Sequence, residues 1–85
     1  MKRTCKEIQK NNWDFTLYDV DGKGVITVVF FQSMIDFSRS FYVTEEEKGL
    51  NLEQLKVLAE DIRNRYESYK TREIQPAITQ EEVTS

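Results

Sequence analysis

Apolar residues recur along this chain at three- and four-residue steps, the spacing of one face of an α-helix. Ile8, Phe15 and Tyr18, flanked by Trp13 and Leu17, predict a first helix over residues 1–18, with Phe15 and Tyr18 on one face. A start at Asn12, as N-cap, is the shorter alternative. A second stripe combines Phe31, Met34, Ile35, Ser38 and Tyr42, with Phe30, Phe37 and Phe41 beside it and Thr27 as N-cap. The third stripe is the longest: Leu55, Leu58, Ala59, Ile62, Tyr66 and Tyr69. Leu50 and Leu55 are spaced as a hydrophobic staple, and Asn51 with Gln54 approximates a capping box. Between the second and third stripes lies the polar run VTEEEKG, which reads as a linker. Pro76 ends the pattern, and the residues after it carry no periodic apolar face, which predicts a disordered tail over 76–85. The pattern as a whole predicts an all-α chain, with a helix-loop-helix over 1–43, a linker and amphipathic helix over 44–75, and the tail.

Between the first two stripes the sequence Asp19-Val-Asp21-Gly-Lys-Gly24-Val-Ile26-Thr27 matches the front half of an EF-hand loop. Acidic residues stand at loop positions 1 and 3, glycine at 6 and an aliphatic residue at 8. Lys23 occupies position 5, where an acceptor oxygen is expected, and Phe30 occupies position 12, where a bidentate glutamate belongs. The candidate metal ligands are therefore Asp19, Asp21, the Val25 carbonyl and Thr27, too few for the six to eight oxygens calcium takes. Any calcium affinity is expected to be weaker than ~1 mM, and no cofactor is expected. Lys23 is a candidate internal cation, pairing with Asp19 or Asp21 in place of the ion. Val25 to Val29 is β-branched throughout and suits the short β-bridge of paired EF-hands, so pairing through Ile26, or a homodimer, is a possible assembly.

Composition narrows the function classes. Eighty-five residues suffice for one small domain. The single cysteine, Cys5, excludes an intramolecular disulfide, and the absence of histidine excludes His-based catalytic dyads and triads. No nucleophile–base pair or phosphate-cradling glycine loop is present, so an enzyme is not expected. A net charge of −3, spread along the chain, argues against nucleic-acid binding. No apolar run approaches the ~18 residues of a membrane span, and Lys2 excludes N-myristoylation of the chain as written. The expected location is the cytoplasm, with membrane association only through a partner. The aromatic stripe is wider than one groove needs and serves either a core or a partner; Phe31, Met34, Ile35 and Tyr42 are the candidate partner-binding residues.

Trp13, Phe15, Thr16, Leu17, Tyr18, Asp19, Asp21, Gly22, Gly24, Ile26 and Thr27 together resemble the EF-hand of the naked cuticle proteins, with looser similarity at Ser33, Met34 and Tyr42. The resemblance covers about a third of the chain and is most specific in FTLYD-x-DG. It implies an intracellular antagonist of Wnt signalling whose EF-hand region binds Dishevelled. The chain departs from the family at Val28-Val29-Phe30, where acidic residues follow the threonine, and lacks the family's amino-terminal glycine and histidine-rich carboxyl terminus. The leading expectation is a regulatory binding module; the alternatives are an EF-hand calcium sensor or buffer and a structural helical domain.

Overall fold

A computed structural model describes residues 4–32, 35–75 and 77–78, with side chains at all of these except 31, 32, 35 and 36. The chain is not all-α. Strands β1 (Cys5–Asn11), β2 (Phe15–Val20), β3 (Lys23–Gln32) and β4 (Ile35–Tyr42) form an antiparallel meander, joined at its edge by the short β5 (Glu73–Ile74). Helices α1 (Glu45–Lys48), α2 (Leu52–Asn64) and α3 (Tyr66–Tyr69) lie between β4 and β5. Among the described residues no helix is long and apolar enough to cross a membrane.

The presumed EF-hand loop is a β-hairpin. Asp21 and Gly22 take φ of +52° and +89°. They form a two-residue turn that pairs Val20 with Lys23 and Asp19 with Gly24. Positive φ at both central residues marks the type I′ turn, whose twist matches that of the strands it joins, and Asp-Gly is among its preferred sequences. The β-branched run after it is the middle of β3. Of the helix expected over 1–18, residues 5–18 instead supply β1, a turn and the start of β2, and residues 1–3 lie outside the described residues.

The period of two was hidden because both faces of the sheet are covered. Phe15, Leu17, Ile26, Val28 and Phe41 pack under Leu55, Ala59 and Ile62 of α2. On the opposite face Cys5, Tyr18, Val20 and Val25 pack with Ile78, and Ile74 lies against them. A strand buried on both sides reads as a continuous apolar run, which periodicity alone does not separate from helix. The Ile78 N–H donates to Ser40 Oγ at 2.8 Å, and that hydroxyl pairs with Thr27 Oγ1 at 2.7 Å. Residues 77–78 are thus part of the folded body, where the sequence predicted a disordered tail. Edge strand β1 is shielded by a bulge at Ile8 and by exposed Lys6, Glu7 and Lys10, devices that discourage further strand pairing.

The helix expected from Asn51 is α2, and its capping box is complete: Gln54 N–H donates to Asn51 Oδ1 at 2.9 Å and Asn51 N–H to Gln54 Oε1 at 3.2 Å. The polar run before it is not a bare linker, because Thr44 caps the short α1 in the same manner. After α2, Tyr69 donates to Asp61 and Arg72 to Glu47 at 3.0 Å, tying the return to β5 onto the helices. Burial first, and the Asp61 bond second, push the Tyr69 phenol up to about 12.

Gly24 has a role the loop reading misplaced. A Cβ there would lie 2.6 Å from Val43 Cγ2 and 3.2 Å from Lys48 Cβ, so glycine permits α1 to close on β3. Gly24→Ala is expected to destabilise the fold by ~1–3 kcal/mol through overpacking, read as a lower urea midpoint with an unchanged slope.

Candidate functional site

The four candidate metal ligands do not converge. Asp19 and Thr27 belong to opposite faces of the sheet by register, with Val25 on the Thr27 side. Asp19 accepts from the Gly22 N–H at 2.8 Å and from Lys48 Nζ at 3.0 Å. These bonds, Lys48's foremost, hold its carboxyl below the usual carboxylate range. Asp21 accepts from the Thr4 N–H at 3.3 Å. Val25 is fully buried, and the Thr27 hydroxyl is taken by Ser40. Among the described residues no three acidic or cysteine side chains are grouped to hold a metal ion. The residues present do not fit a calcium loop. An internal cation does contact Asp19, but it is Lys48 rather than Lys23, whose ammonium lies 5.6 Å from the centroid of the Tyr42 ring.

Of the candidate partner residues, Tyr42 stands apart from the strand positions of Phe31 and Ile35. Phe31 and Ile35 stand on the far end of the β3–β4 ribbon, where Phe31 faces Asp36 and Ile35 faces Gln32 across the strands; their side chains, and Met34 altogether, lie outside the described residues. Tyr42 is 45% exposed but pairs with Val25 at the other end of the ribbon. It lies seven strand steps from Ile35, roughly 23 Å at ~3.3 Å per residue.

What the fold exposes instead is the tip of the β1–β2 hairpin. Trp13 is 78% exposed and takes φ of +66°. The Asp14 N–H donates to the Asn11 carbonyl at 3.0 Å, making Trp13 the third residue of a four-residue turn. Positive φ there is the mark of a type II turn, a position that favours glycine or asparagine. A bulky side chain in this region is strained, and such strain persists only where the surroundings impose it.

The surroundings are specific. Asn11 Nδ2 donates to Asp14 Oδ2 at 2.8 Å, and the Val29 N–H donates to the Asp14 carbonyl at 2.9 Å. From α2, Arg63 Nη2 donates to Asp14 Oδ1 at 2.6 Å and to the Asp14 carbonyl at 2.7 Å, while its Nε donates to the Val29 carbonyl at 2.7 Å. Arg63 thus reaches across from α2 to clamp the turn. Its planar fork suits two acceptors at once, which a lysine could not satisfy in the same geometry. The result is a large, flat, amphipathic side chain held out from a fixed support, with Lys10 and Asn12 lining a shallow depression beside it.

Sequence reasoning missed this site because Trp13 looked like part of a helical apolar pattern. The available signal was Asn11-Asn12 ahead of Trp13-Asp14, a polar turn cluster followed by the β-prone FTLYDV. Comparison with family models, with curated proteins and with solved structures found no match for the chain.

Proposed function

We propose that this chain is a regulatory protein-binding module whose principal contact is the β1–β2 hairpin tip, with Trp13 as the anchor. One observation carries the reading: an exposed tryptophan is held in a backbone conformation unfavourable to it by a clamp reaching from another element. Tryptophan is the residue type most enriched at binding hot spots, because it buries a large rigid area for little side-chain entropy. A tip already fixed before contact also avoids the ordering cost that flexible loops bear on association. Dishevelled is the partner implied by the naked cuticle resemblance and is the first to be measured.

The test uses the only tryptophan in the chain as its own reporter. Titrating Dishevelled, including its PDZ domain, is expected to move the Trp13 emission from that of a hydrated indole to that of a buried one. Trp13→Asn is expected to weaken binding by ~2 kcal/mol or more, about thirtyfold, measured by calorimetry. The same substitution is expected to leave stability unchanged or to raise it by up to ~1 kcal/mol, since asparagine tolerates the left-handed region. Binding that survives Trp13→Asn sinks the anchor. A Trp13 emission unmoved by Dishevelled removes that protein as the partner.

A further inference from the structure

The charge pattern around the anchor points to the chemistry of what it binds. We infer that the hairpin tip selects an acidic segment of a protein partner, one carrying Asp or Glu beside an aromatic or aliphatic residue; this rests on the binding-module reading above. The depression beside the indole is lined by Lys10, Asn12 and Trp13, with no carboxylate among those residues. Lys10 is exposed and has no carboxylate partner among the described residues, so its ammonium is available.

The one acidic group of the turn is already engaged. Asp14 Oδ1 accepts from Arg63 and Oδ2 from Asn11. The other side of the same guanidinium, Nη1, meets Glu60 on α2 at 3.2 Å. Lys10 is therefore the free charge at the indole itself, and Asn12 adds a carboxamide that can donate to a carboxylate. An apolar group against the indole face, with a carboxylate reaching Lys10 and Asn12, satisfies all three at once. A cationic segment would place like charge against Lys10 and leave the carboxamide donor unused.

A displayed library of random peptides of fixed length tests this without a known partner, using the full chain as bait. Selections run in parallel on the parent chain, on Trp13→Asn and on Lys10→Glu. Peptides that depend on Trp13 are expected to be rich in Asp or Glu next to aromatic or aliphatic residues, and Lys10→Glu is expected to replace that acidic bias by a basic one. A synthetic peptide from the parent selection is expected to bind ~2–5-fold more weakly to Lys10→Gln, with the difference shrinking as salt is raised. Trp13-dependent peptides with no acidic bias, or a bias that Lys10→Glu leaves intact, overturn the charge rule while leaving the anchor in place. Selections in which Trp13→Asn changes nothing overturn the anchor and this inference with it.

Discussion

Phe41→Ala is expected to destabilise the protein by ~3–5 kcal/mol, the usual range for truncating a fully buried phenylalanine. Phe41 has no exposed surface and stands opposite Ile26 in the β3–β4 pairing, one pair in from its Val25–Tyr42 end. Its ring lies 6.1 Å from Tyr66, edge-on, and 6.3 Å from Phe30, so the sheet, the α2 face and the α3 return all close on it. Removing the ring subtracts its transfer energy and leaves a cavity that three separate elements would have to collapse together to fill. At about 0.05–0.15 kcal/mol per residue, an 85-residue chain holds roughly 4–13 kcal/mol in all. The variant is therefore expected to unfold at a much lower urea midpoint, followed by far-ultraviolet circular dichroism. A midpoint unchanged from the parent would falsify the sheet packing described above.

The second large effect is expected from Arg39→Met. Arg39 lies on the same sheet face, its guanidinium 4.8 Å from the Tyr66 ring centroid and 5.0 Å from that of Phe37. It donates to Glu73 at 2.8 Å and to the Tyr66 hydroxyl at 3.2 Å, and Tyr66 in turn donates to the other Glu73 oxygen at 2.5 Å. The Glu73 side chain is only 9% exposed, whereas that of Arg39 is 33% exposed. Methionine fills much of the volume but strands the carboxylate. Removing one partner of a fully buried pair costs about 3–5 kcal/mol, and the partial exposure of Arg39 lowers the expectation to ~2–3 kcal/mol near neutral pH.

The pH dependence identifies the cause. Burial alone would raise the Glu73 pKa, but the hydrogen bonds from Tyr66 and Arg39 outweigh it and hold the carboxyl below its usual range. A depressed carboxylate stabilises the fold above its ordinary pKa, and that contribution is lost as pH falls through the lowered value. In Arg39→Met burial is opposed by the Tyr66 hydrogen bond and the more distant Lys70 charge without the arginine, so the carboxyl is expected to titrate higher than in the parent. The gap in urea midpoint between parent and variant is thus expected to be widest at neutral pH and to narrow toward ~pH 4. A gap constant with pH would assign the loss to ring packing rather than to the stranded charge.

The limits of sequence reading fall at particular residues. The helix from Asn51 was legible because one face of it stays polar, so the three- and four-residue recurrence of Leu55, Ala59 and Ile62 survives in the pattern, and its capping box is local. The strands were not legible because β2 is covered on both sides, by α2 against Phe15 and Leu17 and by Ile78 against Tyr18 and Val20. Alternation disappears under such burial. The Asp-x-Asp-Gly-x-Gly run fits two geometries locally, a calcium loop and an Asp-Gly hairpin, and the β-branched residues after it favour the second.

By itself, then, the sequence determined the α2 helix with its cap, that no disulfide joins two of these residues, and a chain with neither a histidine nor an apolar run long enough to cross a membrane. Only the tertiary structure decided the rest. It made strands of residues 5–11, 15–20, 23–32 and 35–42, because α2 on one face and Ile78 on the other supply the covers that β2 needs. It gave Gly24 to a helix contact instead of a metal loop. It left Trp13 outside the core on a strained turn, because Arg63, 50 positions along the chain from it, binds Asp14 and Val29 at once. Contacts of that separation have no signature in local periodicity, and the candidate site depends on one of them.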